Sequence, residues 1–130
     1  EVAAANACGQ AAVYHNELVP SAIYTRPEIA GVGLSKQQAA AQGIEVKAQR
    51  AFLLACGRAQ AQDETEGYFE LLSDKQTGRL LGANLCGANA TEIIHIIAAL
   101  LTAGLTVDAA REIIFAHPTI SELLGEALWK

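Results

Sequence analysis

Six residues near the C-terminus, His117-Pro118-Thr119-Ile120-Ser121-Glu122, carry the parts needed to move a proton. Histidine is the side chain whose ordinary pKa lies closest to neutrality. A carboxylate five positions on, Glu122, can reach the ring, fix its tautomer and favour its charged form. A helix starting just after His117 acts the other way, because its N-terminus carries partial positive charge. A histidine held between those influences is tuned for general acid–base work near neutral pH. The His117-Pro118 bond can be cis at modest cost, and a cis bond turns the ring sharply out of the chain direction.

The same residues have a plainer structural reading. Thr119-x-x-Glu122 fits a capping box, in which the Thr hydroxyl accepts from the N3 amide and the Glu reaches back to the Thr119 amide. On local sequence alone, that accounts for Pro118, Thr119 and Glu122 without any catalytic role. The two readings coexist because a carboxylate has two oxygens. Nothing else in the chain supplies a nucleophile, an electron carrier or a cofactor cradle. His117 therefore reads as half of an active site, with the other half expected on another domain or chain.

The elements that must hold these residues follow from pattern. Glu1 to Ala12 favours helix by alanine content, and Tyr14 to Pro20 reads as a linker. Ala22–Thr25 and Glu28–Leu34 read as strands. Ser35-Lys36-Gln37-Gln38 fits a capping box opening a helix to about Gln42, with Gly43 as its stop. Ile44 to Leu54 reads as a strand with period two at Ile44, Val46 and Ala48. Cys56–Gln62 is ambiguous, and Asp63–Gly67 is an acidic turn. Tyr68–Leu72 and Arg79–Leu85 form an expected antiparallel hairpin, joined by the turn residues Ser73 to Gly78. Helices are expected over Asn89–Ala103 (Asn89 as N-cap, Gly104 as stop), Thr106–Ile114 and Thr119–Leu128. Strands joined by short turns and followed by helices predict an α+β fold, an antiparallel sheet layered with helices.

Length and composition bound the function. The chain has 130 residues, enough for one domain with a real core. With 52% apolar and 18% charged residues it is no disordered segment, and some of that apolar content is expected to cover a partner. A net charge of −5 with scattered Lys and Arg argues against nucleic acid or an anionic membrane as partner. No apolar run approaches the roughly eighteen residues of a membrane span. No signal peptide is visible, and the chain, which lacks an initiator Met, reads as a fragment of a longer, cytoplasmic protein.

The remaining reactive side chains read as structural. Cys8, Cys56 and Cys86 are far apart, form no metal-type cluster with His, and are expected to be reduced and mostly buried. His95 lies among isoleucines and reads as a core or interface residue, His15 as a solvated linker residue, and Trp129 as packing on a terminal edge. Gly31-x-Gly33 lacks the third glycine of a dinucleotide motif. No residue here is expected to bind a cofactor or a metal. A free-standing hydrolase is disfavoured, since no Ser or Cys nucleophile and no metal triad accompanies His117.

His117-Pro118-Thr119-x-Ser121-Glu122 resembles the C-terminal signature of the FAD-dependent pyridine nucleotide-disulfide oxidoreductases, most of all the dihydrolipoamide dehydrogenases. Val19 to Glu28, Ile29 to Ser35, Gly67-Tyr68-Phe69, Leu81-Gly82-Ala83 and the Glu92 helix continue the likeness in the same order. The resemblance covers about Val19 to Trp129, so residues 19–130 are expected to be the dimerisation (interface) domain. Residues 1–18 resemble the end of a preceding FAD-domain helix and its linker.

The resemblance implies a homodimer whose full-length chain binds FAD and NAD(P) on upstream domains, with a 2-oxo acid dehydrogenase complex as a further partner. It implies that His117 is the acid/base acting in trans on the partner subunit's redox disulfide. Glu122 then orients His117, Pro118 forms a cis bond, and Thr119 and Ser121 support the turn. The fragment alone is then inactive. Two departures stand out. Phe115 occupies the place where dihydrolipoamide dehydrogenases often have a second histidine. Cys56-Gly57 replaces the family's Asn-Ser. Glutathione reductases carry a similar His-Pro-Thr-x-x-Glu run, so that enzyme type is an alternative. A non-catalytic self-association module, with the last helix merely capped, is another.

Overall fold

Asp74 closes the central hairpin as its turn chemistry predicts: its carboxylate accepts from the amides of Gln76 (2.7 Å) and Thr77 (3.3 Å). In the computed structural model, which describes residues 1–130, this hairpin is the middle of a five-stranded sheet. Its strands are β1 (Ser21–Ile23), β2 (Ile29–Gly33), β3 (Val46–Phe52), β4 (Tyr68–Asp74) and β5 (Leu80–Cys86). Their order is β1-β2-β5-β4-β3, and every neighbouring pair is antiparallel. The helices are α1 (Val2–Ala7), α2 (Lys36–Ala41), α3 (Gly57–Gln62), α4 (Ala90–Thr102), α5 (Val107–Arg111) and α6 (Glu122–Leu128). The predicted α+β class, an antiparallel sheet layered with helices, is borne out.

One face of the sheet carries the core. Phe69, Leu71, Ala83, Leu85, Ala30, Val32 and Ala51 pack there against Ile93, Ile94 and Ile97 of α4 and Leu123, Leu124 and Leu128 of α6. Two buried polar side chains share this face. Gln49 donates to the carbonyl of Leu128 (3.0 Å) and accepts from the Ser73 hydroxyl (3.4 Å), which pins the end of α6 to β3. Close strand approach requires glycine where β2 meets β5. Gly33 pairs with Gly82, and a Cβ on Gly82 would lie 2.4 Å from the carbonyl oxygen of Leu34.

The opposite face is partly open. Register places Ile23, Ile29, Cys86, Tyr68 and Phe52 in one row across all five strands. The apolar alternation Ile44, Val46, Ala48 falls on this face or short of the strand, while Gln49 and Ala51 are the buried residues of β3. Beside the row, the nearly buried Glu70 accepts from Lys36 (2.8 Å) and Arg50 (2.6 Å), and the Arg50 guanidinium sits over the Tyr68 ring at 4.3 Å. The outer strands differ in kind: β1 is three residues long and exposed throughout, whereas β3 carries Lys47 and Arg50.

Several predicted boundaries move for physical reasons. α1 stops at Ala7 rather than Ala12, because Gly9 adopts a φ of +80° and Asn6 binds both backbone groups of Ala12. The capping box at Ser35 forms as predicted, with both reciprocal hydrogen bonds present. The ambiguous stretch after Cys56 is helical. Asn89 precedes α4 but does not cap it with its side chain. Glu28, 63 residues away, does so instead, accepting from the Thr91 amide (3.0 Å) and hydroxyl (2.8 Å). α5 ends at Arg111, because Ile113 and Phe115 turn onto the core while Ile114 is 95% exposed, an alternation that suits extended chain.

Candidate functional site

His117 and Glu122 meet. Nδ1 of His117 lies 2.8 Å from Oε1 of Glu122, and Oε2 of Glu122 accepts the Thr119 amide at 2.8 Å. The His117–Glu122 contact and one of the two hydrogen bonds of the predicted capping box are thus both present, one on each carboxylate oxygen. The box is only half made: the Thr119 hydroxyl donates to the carbonyl of Ala116 (2.7 Å) instead of accepting from an N3 amide. α6 accordingly begins at Glu122 rather than Thr119, and Ser121 contributes its carbonyl, not its hydroxyl, to the first turn. The His117–Pro118 bond is cis, as is Arg26–Pro27.

Burial falls unevenly across the couple. The His117 side chain is 80% exposed and that of Glu122 28%. Ile120, Leu123 and Leu124 are buried beneath them and fix the turn to the core. The hydrogen bond from the Thr119 amide, followed by that from His117, holds the Glu122 carboxyl below the usual carboxylate range. An ionised carboxylate only accepts, so Nδ1 carries a proton toward Glu122, and in the neutral ring Nε2 is the acceptor nitrogen. Chemically, the arrangement is an oriented base open to whatever lies against this surface.

Other candidate residues lie elsewhere. His95 is exposed on α4, His15 bonds Glu17 at 3.0 Å, and the three cysteines are free. Cys56 is buried as predicted, whereas Cys8 is exposed and Cys86 half-buried. Trp129 is exposed at the chain end, where Arg111 stacks over its ring at 4.8 Å. Gly31 and Gly33 serve strand packing in β2. One contact the sequence did not signal is Cys56 Sγ, 3.6 Å from the carbonyl of Thr119. One groove, about 520 Å³, is an open polar cleft lined by Arg26, Glu28, Asp63, Glu64 and Asn89 among others, and His117 is not part of its lining.

Fold and site together define an α+β domain that displays an oriented base at its surface. The chain belongs to the pyridine nucleotide-disulphide oxidoreductase family: the profile of that family's dimerisation domain matches residues 19–128. It is 35% identical over 127 residues to a dihydrolipoyl dehydrogenase of Bacillus subtilis, covering 98% of this chain and 28% of that one. It is 40% identical over 109 residues to the mitochondrial dihydrolipoyl dehydrogenase of Sus scrofa, covering 84% of this chain and 21% of the relative. Among solved structures it resembles the HOCl-induced flavoprotein disulfide reductase RclA from Escherichia coli, with TM-score 0.81 and 31% identity, covering 85% of this chain and 26% of that one. The chain thus spans about a quarter of the length of the curated relatives it matches.

Proposed function

We propose that this chain is the dimerisation domain of a homodimeric, dihydrolipoyl dehydrogenase-like disulfide oxidoreductase, and that His117 and Glu122 act as its acid–base couple in trans. The carrying observation is the exposed imidazole whose Nδ1 is held by Glu122, leaving Nε2 free for a proton. A substrate dithiol attacks the partner subunit's redox disulfide as thiolate, because the thiolate is the nucleophile in exchange. Nε2 of His117 takes the thiol proton, one new S–S bond forms and the enzyme S–S bond breaks. The second substrate thiol gives its proton to the freed enzyme thiolate, its sulfur displaces the other enzyme sulfur from the mixed disulfide, and that sulfur takes the proton back from His117, which leaves an oxidised substrate and an enzyme dithiol. Glu122 balances the imidazolium through Nδ1. Residues 1–18 belong to the end of the preceding domain, and the preceding domains carry FAD and NAD(P), which give the electron pair its exit. A 2-oxo acid dehydrogenase complex is the setting in which such an enzyme meets its dithiol. Pro118, Thr119 and Ser121 support the turn.

The test is His117→Gln in the full-length protein. Bound FAD is expected to be retained and most dithiol turnover lost; full turnover overturns the assignment.

A further inference from the structure

Gly125 lies inside α6, one turn after Glu122, with φ outside the left-handed region. Backbone conformation therefore does not require glycine there. A glycine inside a helix also weakens it relative to alanine. Its presence has a packing explanation. A Cβ built at Gly125 would lie 3.2 Å from Cδ2 and 3.5 Å from Cε2 of Phe115, and meet nothing else within 4 Å. Phe115 is half-buried against the core and stands two residues before His117. Its neighbours Ile114 and Ala116 are exposed side chains, although the Ala116 carbonyl is held by Thr119.

Positions three apart on a helix lie on one face. Glu122 and Gly125 are so related, and each receives a part of the segment that carries the imidazole: Glu122 bonds the His117 ring, and Gly125 seats the Phe115 ring. We propose that Gly125 is a positioning residue whose missing side chain leaves the seat that sets His117 against Glu122. This rests on the acid–base reading of His117 and deepens it. The reactivity of a general base depends steeply on placement, so a displacement of a few tenths of an ångström to one ångström is expressed in rate.

Gly125→Ala in the full-length enzyme tests this. The substitution improves helix propensity, so the unfolding midpoint is expected to stay level or rise, while kcat for dithiol oxidation falls about tenfold at unchanged flavin content. Phe115→Leu, added to Gly125→Ala, is expected to restore most of the loss by relieving the crowded seat. A crystal structure of Gly125→Ala is expected to show Nδ1 of His117 and Oε1 of Glu122 beyond about 3.2 Å, outside ordinary hydrogen-bond distance. The proposal is overturned by a kcat within about twofold of the unsubstituted enzyme, by a loss that tracks a lowered midpoint, by failure of the second substitution to restore activity, or by an unchanged His117–Glu122 distance. His117→Gln run in parallel separates the two readings. Full turnover there sinks the base assignment, whereas loss there with normal turnover in Gly125→Ala sinks only the positioning role.

Discussion

Glu122 joins His117 to the helix that follows it: one carboxylate oxygen lies 2.8 Å from Nδ1 of His117, and the other takes the Thr119 amide at 2.8 Å. Bracing of the turn before α6 and orientation of the imidazole are thus performed by one side chain. Neither can be altered without touching the other.

Glu122→Gln tests that shared duty. An amide offers one acceptor oxygen and a donor NH₂, so either the Thr119 amide or Nδ1–H then faces a donor. Dithiol turnover of the full-length enzyme is expected to fall about 10- to 100-fold, less than the roughly 10²- to 10⁴-fold of a whole acid–base contribution because His117 itself remains. Steady-state kinetics measure this, and an unchanged kcat would contradict it.

The pH dependence of stability has a definite sign. The folded-state pKa values of Glu122, Glu70 and Asp74 are held below the ordinary carboxylate range. For Glu70, burial alone acts upward, and the hydrogen bonds from Lys36 and Arg50 outweigh it. At acid pH the unfolded chain binds more protons than the folded one, so stability rises with pH. Their contribution is fully present above the unfolded values, about 4, and is lost as pH falls through the lower folded values. Urea midpoints measured downward from about pH 6 are expected to decline from about pH 5. Glu122→Gln is expected to flatten that decline.

Glu28→Ala removes the carboxylate that caps α4 at Thr91. Loss of such a cap costs about 1 kcal/mol, readable as a lower urea midpoint. An unchanged midpoint would show that Asn89 or solvent replaces the cap.

Glu70→Ala leaves Lys36 and Arg50 without their shared acceptor. Both cations are about half exposed, so water compensates in part, and a loss of about 1–2 kcal/mol is expected from equilibrium unfolding. A neutral result would mean that the strand pair β3–β4 holds without the ionic cluster.

What the sequence disclosed was local. The Ser35 box, the Asp74 turn and the His117–Glu122 pair each lie within five residues, and chain geometry dictates their meeting. The α4 cap was not legible, because its donor and acceptor are 63 residues apart and are brought together by the pairing of β2 with β5. Alternation along β3 announced a strand, yet its buried face belongs to Gln49 and Ala51. The core there accepts an amide because Leu128 and Ser73 satisfy it. α6 starts three residues past the predicted Thr119, since the Thr119 hydroxyl turns back to Ala116 rather than forward. Phe115 facing Gly125 joins two segments that pattern alone keeps separate.

The two outer strands of the sheet bear on how subunits choose one another. β1 is short, and the outer strand β3 carries the charged residues Lys47 and Arg50, features that discourage a sheet from adding further strands. A backbone ladder accepts nearly any extended chain, whereas side-chain surfaces discriminate residue by residue. A sheet with blunted edges leaves recognition of any second chain to the side-chain surfaces of its faces.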